Sequence, residues 1–342
     1  MHKHNIITDP EKIDKKAWSE FVANHPAGNI FQTPEYFYFC NSVPNCTAIC
    51  IFYLIDDRIE GLLIGEIQRN FSGLLGFLTS RAIVRGGPVV RDNQKEIFNI
   101  LLETFNSLIG RKVIFSQFRN LINLNFWDNE FVKLGYRYED HLDIHIDLTV
   151  NENNLWLNIN STRRKQIRRS EKRGVKTRLI EEFNANIVSI CYKILKETYS
   201  RAGLPLPGEL YFVKAMEVLG SKQYLKLFVA ELSSQIIGFR MVLCYRGVIY
   251  DWYAASIRKH FDKYPNDILP WSIIRWGKAN KYTLFDFGGA GKPDKPYGVR
   301  DYKLKFGGEI VNYGRYTKVF RKNIYYFIIK MLELRQKFSD KK

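Results

Sequence analysis

The chain has no run of about 18 uncharged apolar residues, so nothing in it reads as a membrane span. No apolar stretch follows the opening MHKHNIITDPEKIDKK, and a secretory signal is not expected. The five cysteines (Cys40, Cys46, Cys50, Cys191 and Cys244) are odd in number and follow no ligand spacing. Cys46 and Cys50 lack a second ligand pair and flank a strand-like AICIFYL, so reduced core thiols are expected and no metal site. Nucleophile elbows, cysteine–histidine signatures and HExxH helices are missing, which argues against a covalent enzyme intermediate. GGAGK at 288–292 falls short of a phosphate-cradling Walker A loop. Asp286 stands where that motif needs its first glycine, and Pro293 where it needs Ser or Thr. What remains is a globular chain expected in the cytoplasm.

Basic charge is plentiful but uneven. Residues 1–150 carry 15 Lys+Arg against 18 Asp+Glu, whereas residues 151–342 carry 37 against 17. The whole net charge of +17 therefore comes from the second half, which suits a polyanionic partner: nucleic acid, a pyrophosphate-bearing carrier or an anionic membrane.

Length predicts about two domains. In the first half, a helical KKAWSEFVANH precedes the strand pair CTAICIFYLI and IEGLLIGEIQ, joined at Asp56-Asp57-Arg58 as a hairpin. A strand RAIVRGGPVV, an amphipathic helix QKEIFNILLETFNSLIG and a strand KVIFSQF follow. The second half repeats that order, with helices, the hairpin YLKLFVAEL/QIIGFRMVLCY turning at Ser233-Ser234, strand GVIYDWYAAS, helix NDILPWSIIRWGKANK and strand YTLFDF. Two copies of a hairpin followed by strand–helix–strand predict an α+β fold with mixed, largely antiparallel sheets. The expected boundaries are 1–150, 151–320 and a C-terminal helix 321–342.

The densest local signal is NSTRRKQIRRSEKRGVKTR. Residues 163–178 hold nine basic side chains and one acid, Glu171. Asn160 or Ser161 can cap a helix over 161–173, and helical spacing aligns Arg164, Arg168 and Lys172 on one stripe. This is either a solvated face or a grip for phosphate oxygens. In YTLFDFGG an apolar strand ends at Asp286, and Gly288 and Gly289 permit a sharp turn or close approach to a ligand. In DYKLKFGGE an extended reading puts Lys303 and Lys305 on one face, where a lysine near an acyl carbonyl would stabilise an oxyanion. Asp251, Trp252 and Tyr253 end a strand as an acid–aromatic cluster suited to a pocket or to packing. His141, Asp143, His145 and Asp147 alternate on another strand, which reads as a half-exposed face rather than a metal site. At the C-terminus Ile324, Phe327, Ile328 and Met331 form an apolar stripe bordered by Arg321, Lys322, Lys330, Arg335 and Lys337, with Lys341 and Lys342 beyond. Such a helix either docks on the second domain or rests on an anionic membrane.

The run LWLNINSTRRKQIRRSEKRGV, the hairpin VAELSSQIIGFRMVLCY, then YDWYAAS, PNDILPWSIIRWGKANKYTLFDFGG and RDYKLKFGG together resemble the FemA/FemB/FemX-like acyltransferases. NIFQTPEYFYF resembles that group's opening helix, and the resemblance spans roughly residues 18–320. It implies two tandem GNAT (Gcn5-related N-acetyltransferase) domains. It also implies amide formation, with transfer from aminoacyl-tRNA or acyl-CoA onto an amine of a peptidoglycan or surface-glycan precursor, free or lipid-linked. The donor is a substrate and no permanently bound cofactor is implied. Lys303 matches the lysine that steadies the acyl carbonyl, with Tyr302 in place of the usual Phe. Arg164 and Arg168 match the basic helix, and Tyr253 matches an aromatic lining the acceptor cleft. Residues 175–222 lack the heptad run of the coiled-coil arm found in tRNA-using members, which leaves the donor open. Asp251 and Asp286 are the candidate proton acceptors, with Lys172, Gly288, Gly289 and Lys305 as further candidate binding residues. The alternative class is a noncatalytic RNA- or membrane-binding protein using the same basic half.

Overall fold

The structure is a computed structural model and describes residues 3–71 and 73–339. In chain order the first strands are β1 (His4–Ile7), β2 (Cys46–Ile55), β3 (Arg58–Gln68), β4 (Arg81–Arg85), β5 (Val89–Val90), β6 (Phe115–Arg119) and β7 (Arg137–Glu139). Next come β8 (Leu142–Asp147), β9 (Lys176–Ile180), β10 (Leu225–Leu232), β11 (Gln235–Tyr245), β12 (Val248–Ser256), β13 (Leu284–Gly291), β14 (Glu309–Asn312) and β15 (Arg315–Val319).

Local chemistry accounts for these elements. Asp56 and Asp57 at the β2–β3 turn, and Ser233 and Ser234 at the β10–β11 turn, all take positive φ, which matches the twist of a tight hairpin. The helix Lys95–Ile109 buries Ile97, Phe98, Leu101, Leu102, Phe105 and Ile109, one face at helical spacing. That face packs on β2 and β3. Past its first residue β11 is buried throughout, as its near-continuous apolar run requires.

The chain divides into two compact units, Met1–Glu139 with Tyr313–Lys342, and Asp140–Asn312. The sheet of the first runs β1-β2-β3-β4-β6-β15-β7, with β5 beside β3; that of the second runs β9-β10-β11-β12-β13-β8-β14. In both, the fourth and fifth strands are parallel, β4 with β6 and β12 with β13, and the other neighbours along each path are antiparallel. The repeat read from element order is thus a repeat of topology.

The unit boundaries differ from those expected at 150/151 and 320/321. The polar-alternating strand β8 pairs with β13 and β14 of the second unit, while β15 returns to pair with β6 and β7 of the first. The second unit is thus one continuous stretch that opens with β8, and only the first unit takes a strand, β15, from beyond the other in sequence; alternation along a strand does not specify its partner.

The parallel pairs differ in one respect that matters below. β4 and β6 stay in register from Arg81↔Phe115 to Arg85↔Arg119. β12 and β13 pair only from Val248↔Leu284 to Tyr250↔Asp286, although they continue to Ser256 and Gly291. Beyond Tyr250 and Asp286 they part, so the second sheet opens where the first is closed.

The C-terminal helix Lys322–Ser339 belongs to the first unit, not docked on the second as one reading expected; Tyr325 packs edge-on against Phe115 of β6, ring centroids 5.3 Å apart. Of its apolar stripe, Ile324 and Ile328 are half-buried, while Phe327 is 65% and Met331 53% exposed. Lys341 and Lys342 lie outside the described residues.

Tyr316 of β15 is fully buried and stacks on Phe131 at 3.9 Å. Tyr316→Ala is expected to destabilise the first unit by about 3–5 kcal/mol, the usual cost of removing a buried aromatic ring. Urea unfolding followed by hydrogen exchange checks this: β6 amides should lose protection before those of β13, and equal losses in both sheets would contradict it.

Candidate active site

The opening between β12 and β13 is lined by charged side chains that the core would not otherwise accept. Arg240 is only 5% exposed, on the buried strand β11, and donates from Nη1 to Asp251 Oδ2 on β12 at 2.6 Å. Its Nη2 donates to Tyr302 Oη at 3.1 Å, and Tyr302 in turn donates to the carbonyl of Asn266. Burial opposes the Arg240 charge, but Asp251 and Tyr302 outweigh it and raise its pKa, so it stays protonated. Burial pushes the Tyr302 phenol up to about 12. Asp251 Oδ1 is buried with no hydrogen-bond partner, an unmet acceptor beside Arg240.

Lys303 comes to this group from a helix, Gly298–Leu304, rather than from the extended segment expected. Helical spacing places Tyr302 and Phe306 together against Phe287, with centroid separations of 6.1 and 5.5 Å, and this packing outweighs the five-residue alternation that suggested a strand. Lys303 Nζ donates to the Gly289 carbonyl at 3.0 Å and lies 5.5 Å from the centre of the Phe287 ring. Burial lowers its pKa, while Asp251, Asp286 and Asp143 favour its charge and nearby Arg240 opposes it. Lys305 caps the helix and is exposed, so the two lysines do not share a face. Its carbonyl accepts from Asn160 N at 2.9 Å, tying this helix to the start of the basic one. The glycines of KFGG serve packing: a Cβ on Gly307 would stand 2.8 Å from the Asn158 backbone.

Asp286 is 5% exposed and fixes the glycine turn by accepting from Gly288 N at 2.8 Å. Its Oδ2 is 3.7 Å from His145 Nε2 on the neighbouring β8. β8 therefore contributes His145 and Asp143 to the site, but among the described residues its alternating acids and histidines form no metal-ligating group. Asp147 instead accepts from Thr149, which lowers its pKa.

The wall beside Asp251 is aromatic. Tyr253 packs against Phe212 at 4.9 Å and Trp252 at 4.9 Å, with Tyr199 and Tyr211 near 6 Å. Burial, with the Asp251 charge second, raises the Tyr199 phenol.

The basic helix Ser161–Lys172 starts at Asn160, whose side chain accepts from Thr162 N. It turns Arg163 inward, to Asp267 Oδ1 at 2.5 Å and over the Tyr302 ring. Of the stripe expected to grip phosphates, Arg164 is half-buried with its Nε lacking a partner. Arg168 is exposed over the Trp156 ring, and Lys172 is exposed, so neither joins the Lys303 group.

Sequence reasoning passed over Arg240, Arg163 and Tyr199. Arg240 had a signal: it is the only charged residue in QIIGFRMVLCY, and a lone arginine in a buried strand needs a charged partner. Arg300, also passed over, pins the preceding loop by donating to the carbonyls of Lys292 and Lys295.

Residues 161–304 match the family model described as an acetyltransferase (GNAT) domain. The crystal structure of FemX aligns with a TM-score of 0.72 at 14% identity, covering 95% of this chain and 99% of that one. The chain has the fold of FemX. Two further structures share that fold. L-PGS from Bacillus licheniformis aligns with a TM-score of 0.58 at 19% identity, covering 92% of each chain. A tandem GNAT protein from the clavulanic acid biosynthesis pathway aligns with a TM-score of 0.62 at 9% identity, covering 93% of this chain and 99% of that one. No curated protein matches. The FemA/FemB/FemX-like resemblance holds for the FemX-like fold and for the acetyltransferase domain, whose match contains Arg240, Asp251, Asp286 and Lys303.

Gly288 takes φ +76°, and a Cβ there would stand 3.7 Å from Lys303 Nζ. Gly288→Ala is expected to cost about 1–2 kcal/mol for the left-handed backbone and to set a methyl in van der Waals contact with the lysine, slowing its labelling. A thermal melt and a lysine-selective labelling rate check this, and unchanged values in both would contradict it.

Proposed function

We propose that the second unit transfers an acyl or aminoacyl group onto an amine. The observation that carries this reading is the half-buried Lys303, its pKa lowered by desolvation, beside the Arg240–Asp251 pair where β12 and β13 part. An amine nitrogen attacks the carbonyl carbon of a thioester or ester, the C–N bond forms, and the carbonyl electrons move onto oxygen. Lys303 donates to that oxyanion. Asp251, through its unpartnered Oδ1, accepts the proton that the nitrogen sheds, while Arg240 fixes its orientation. Collapse of the intermediate re-forms the carbonyl and expels the thiolate or alkoxide of the carrier, which takes up a proton. The aromatic wall of Tyr253, Phe212 and Trp252 excludes water from the acyl group. Asp286 acts as a positioning residue for the Gly288 turn rather than as a base.

The donor is acyl-CoA or aminoacyl-tRNA, either bringing phosphates to the basic half, with Arg164, Arg168, Lys172 and Lys305 as outer contacts. The acceptor is an amine of a peptidoglycan or surface-glycan precursor in the cytoplasm, as the FemX-like fold and the sequence motifs suggest. A buried arginine paired with an aspartate beside a half-buried lysine is not something a noncatalytic RNA or membrane binder needs, and this favours the enzyme.

Lys303→Met is expected to lower turnover about 100- to 1000-fold with carrier binding retained. Purified protein offered labelled acetyl-CoA and charged tRNA separately identifies the donor, and turnover within threefold of the parent would remove Lys303 from the mechanism. Because burial lowers the Lys303 pKa below 10.5, the charged form is lost as pH rises through that lowered value. Turnover should therefore fall on the alkaline side earlier than an ordinary lysine would dictate, and Lys303→Arg should abolish that early fall.

The helix Lys322–Ser339 supports a peripheral membrane contact. Tyr326, Phe327, Ile329 and Met331 are exposed alongside exposed Lys322 and Lys330. No described helix is long and apolar enough to cross a membrane, so any attachment is interfacial. Truncation after Arg321 is expected to reduce sedimentation with anionic liposomes and leave that with neutral ones unchanged. Equal sedimentation of a truncated protein that melts like the parent would refute the contact.

A further inference from the structure

Residues 40–66 of the first unit, remote in sequence from Lys303 and Asp251, bring three metal-ligating side chains to one point. Cys40 lies in the last turn of the helix Pro34–Asn41, Cys46 opens β2, and Glu66 is on β3. Their ligand atoms all lie within 4.8 Å of one another, and this is the one such group among the described residues. Both sulfurs address the same carboxylate oxygen: Cys40 Sγ is 3.5 Å and Cys46 Sγ 3.8 Å from Glu66 Oε2. Cys50, four residues on from Cys46, instead faces the Thr8 carbonyl at 3.6 Å, so the pair that matters is not the one the spacing drew attention to.

These separations are the edges of a coordination tetrahedron. Bonds of about 2.3 Å to sulfur and about 2.0 Å to oxygen at tetrahedral angles put sulfur and oxygen about 3.5 Å apart. The support around the ligands is also in place. Glu66 turns its other oxygen, Oε1, to the Arg85 guanidinium, and Tyr36 Oη lies 3.4 Å from both oxygens. Arg85 also donates to Tyr36 Oη at 3.0 Å, which closes the network around the carboxylate. Outer partners of this kind orient a ligating carboxylate and leave its second oxygen for the metal. The loop between the two cysteines is held as well: Asn41 Oδ1 accepts from Ala48 N at 2.9 Å, and the Asn45 carbonyl accepts from Arg69 N at 2.9 Å.

The charges balance. Two thiolates and a carboxylate around a divalent ion sum to one negative charge, which Arg85 neutralises. Arg81, the next cation along β4, is engaged with Asn70 Oδ1 at 3.1 Å and the Thr79 carbonyl at 3.3 Å. Cys40 and Glu66 are buried, while Cys46 is half-buried and gives the ion a way in.

We propose that Cys40, Cys46 and Glu66 form a zinc site that ties the helix Pro34–Asn41 to β2 and β3. Two thiolates with one carboxylate suit a thiophilic divalent ion of the zinc class, and three protein ligands leave a fourth position for water. Binding displaces the two thiol protons to solvent, so affinity falls as pH is lowered.

The test is metal stoichiometry on the full chain, purified without an affinity tag that binds metal and kept under a thiol reductant. Elemental analysis should find about one zinc per chain. After chelator treatment, added Co²⁺ should bind one equivalent and show thiolate-to-cobalt charge-transfer absorption in the near ultraviolet. Cys46→Ser, at the half-buried position, should lose that absorption and at least tenfold in affinity, and Glu66→Gln should weaken binding with the absorption retained. A circular-dichroism melt of each variant separates lost ligation from lost folding, and Cys46→Ser alone suffices if Glu66→Gln does not fold. Parent protein that takes up neither zinc nor Co²⁺, binding that survives unchanged in folded Cys46→Ser, or a Cys40–Cys46 disulfide in the native protein would each overturn the site.

Discussion

A guanidinium in the middle of a buried strand is tolerated only if its charge and all its donors are matched, and the second unit is organised around doing that for Arg240. Asp251 supplies the charge from the adjacent strand, and Tyr302 supplies an acceptor from the helix Gly298–Leu304. Tyr302 passes the connection on to the Asn266 carbonyl in the first turn of the helix Pro265–Ala279. One buried cation thus links β11, β12 and the two helices that flank the opening in the sheet. A desolvated pair of this kind adds little net stability, since removal from water offsets most of the attraction. It does specify one arrangement, because a half-satisfied network in a low dielectric is costly. The same network holds Asp251 with one oxygen engaged and one buried without a partner, and places a second cation, Lys303, near it.

The two units show how one topology serves two purposes. Their sheets have the same strand order and the same senses, including the parallel pair at the fourth and fifth positions. In the first unit that pair stays hydrogen-bonded to Arg85 and Arg119, so its backbone groups are occupied and the sheet is continuous. In the second unit pairing stops at Tyr250 and Asp286, and the glycines of DFGG carry β13 away from β12. Only in the second unit does the parallel pairing stop short of the strand ends, and the acetyltransferase match falls there. The first unit keeps a closed sheet and carries the Cys40–Cys46–Glu66 cluster on its other strands.

Charge excess turned out to be a poor guide to the chemical centre. Most of the basic side chains of the helix Ser161–Lys172 are exposed, where screening makes each worth little on its own. The cations gathered at the candidate site are those withdrawn from solvent: Arg240, which is buried, and Lys303 and Arg163, which are half-buried, the last paired with Asp267. Solvated charges attract a polyanion over a distance, whereas desolvated ones act on a reacting group.

By itself the sequence determined the two-fold repeat, the hairpins at Asp56-Asp57 and Ser233-Ser234, the capped basic helix, and Lys303 and Asp251 as residues to watch. All of these rest on short-range signals, namely turn chemistry, periodicity, caps and the motifs shared with the FemX-like group. What only the tertiary structure decided are the pairings between distant segments. It assigned β8 to the second sheet and β15 to the first, made a helix of the segment holding Lys303, joined Arg240 to Asp251, and brought Cys40 and Cys46 to Glu66. Each of these depends on which strand lies beside which and on what a side chain meets there. Local residue patterns fix the faces of an element but not its neighbours.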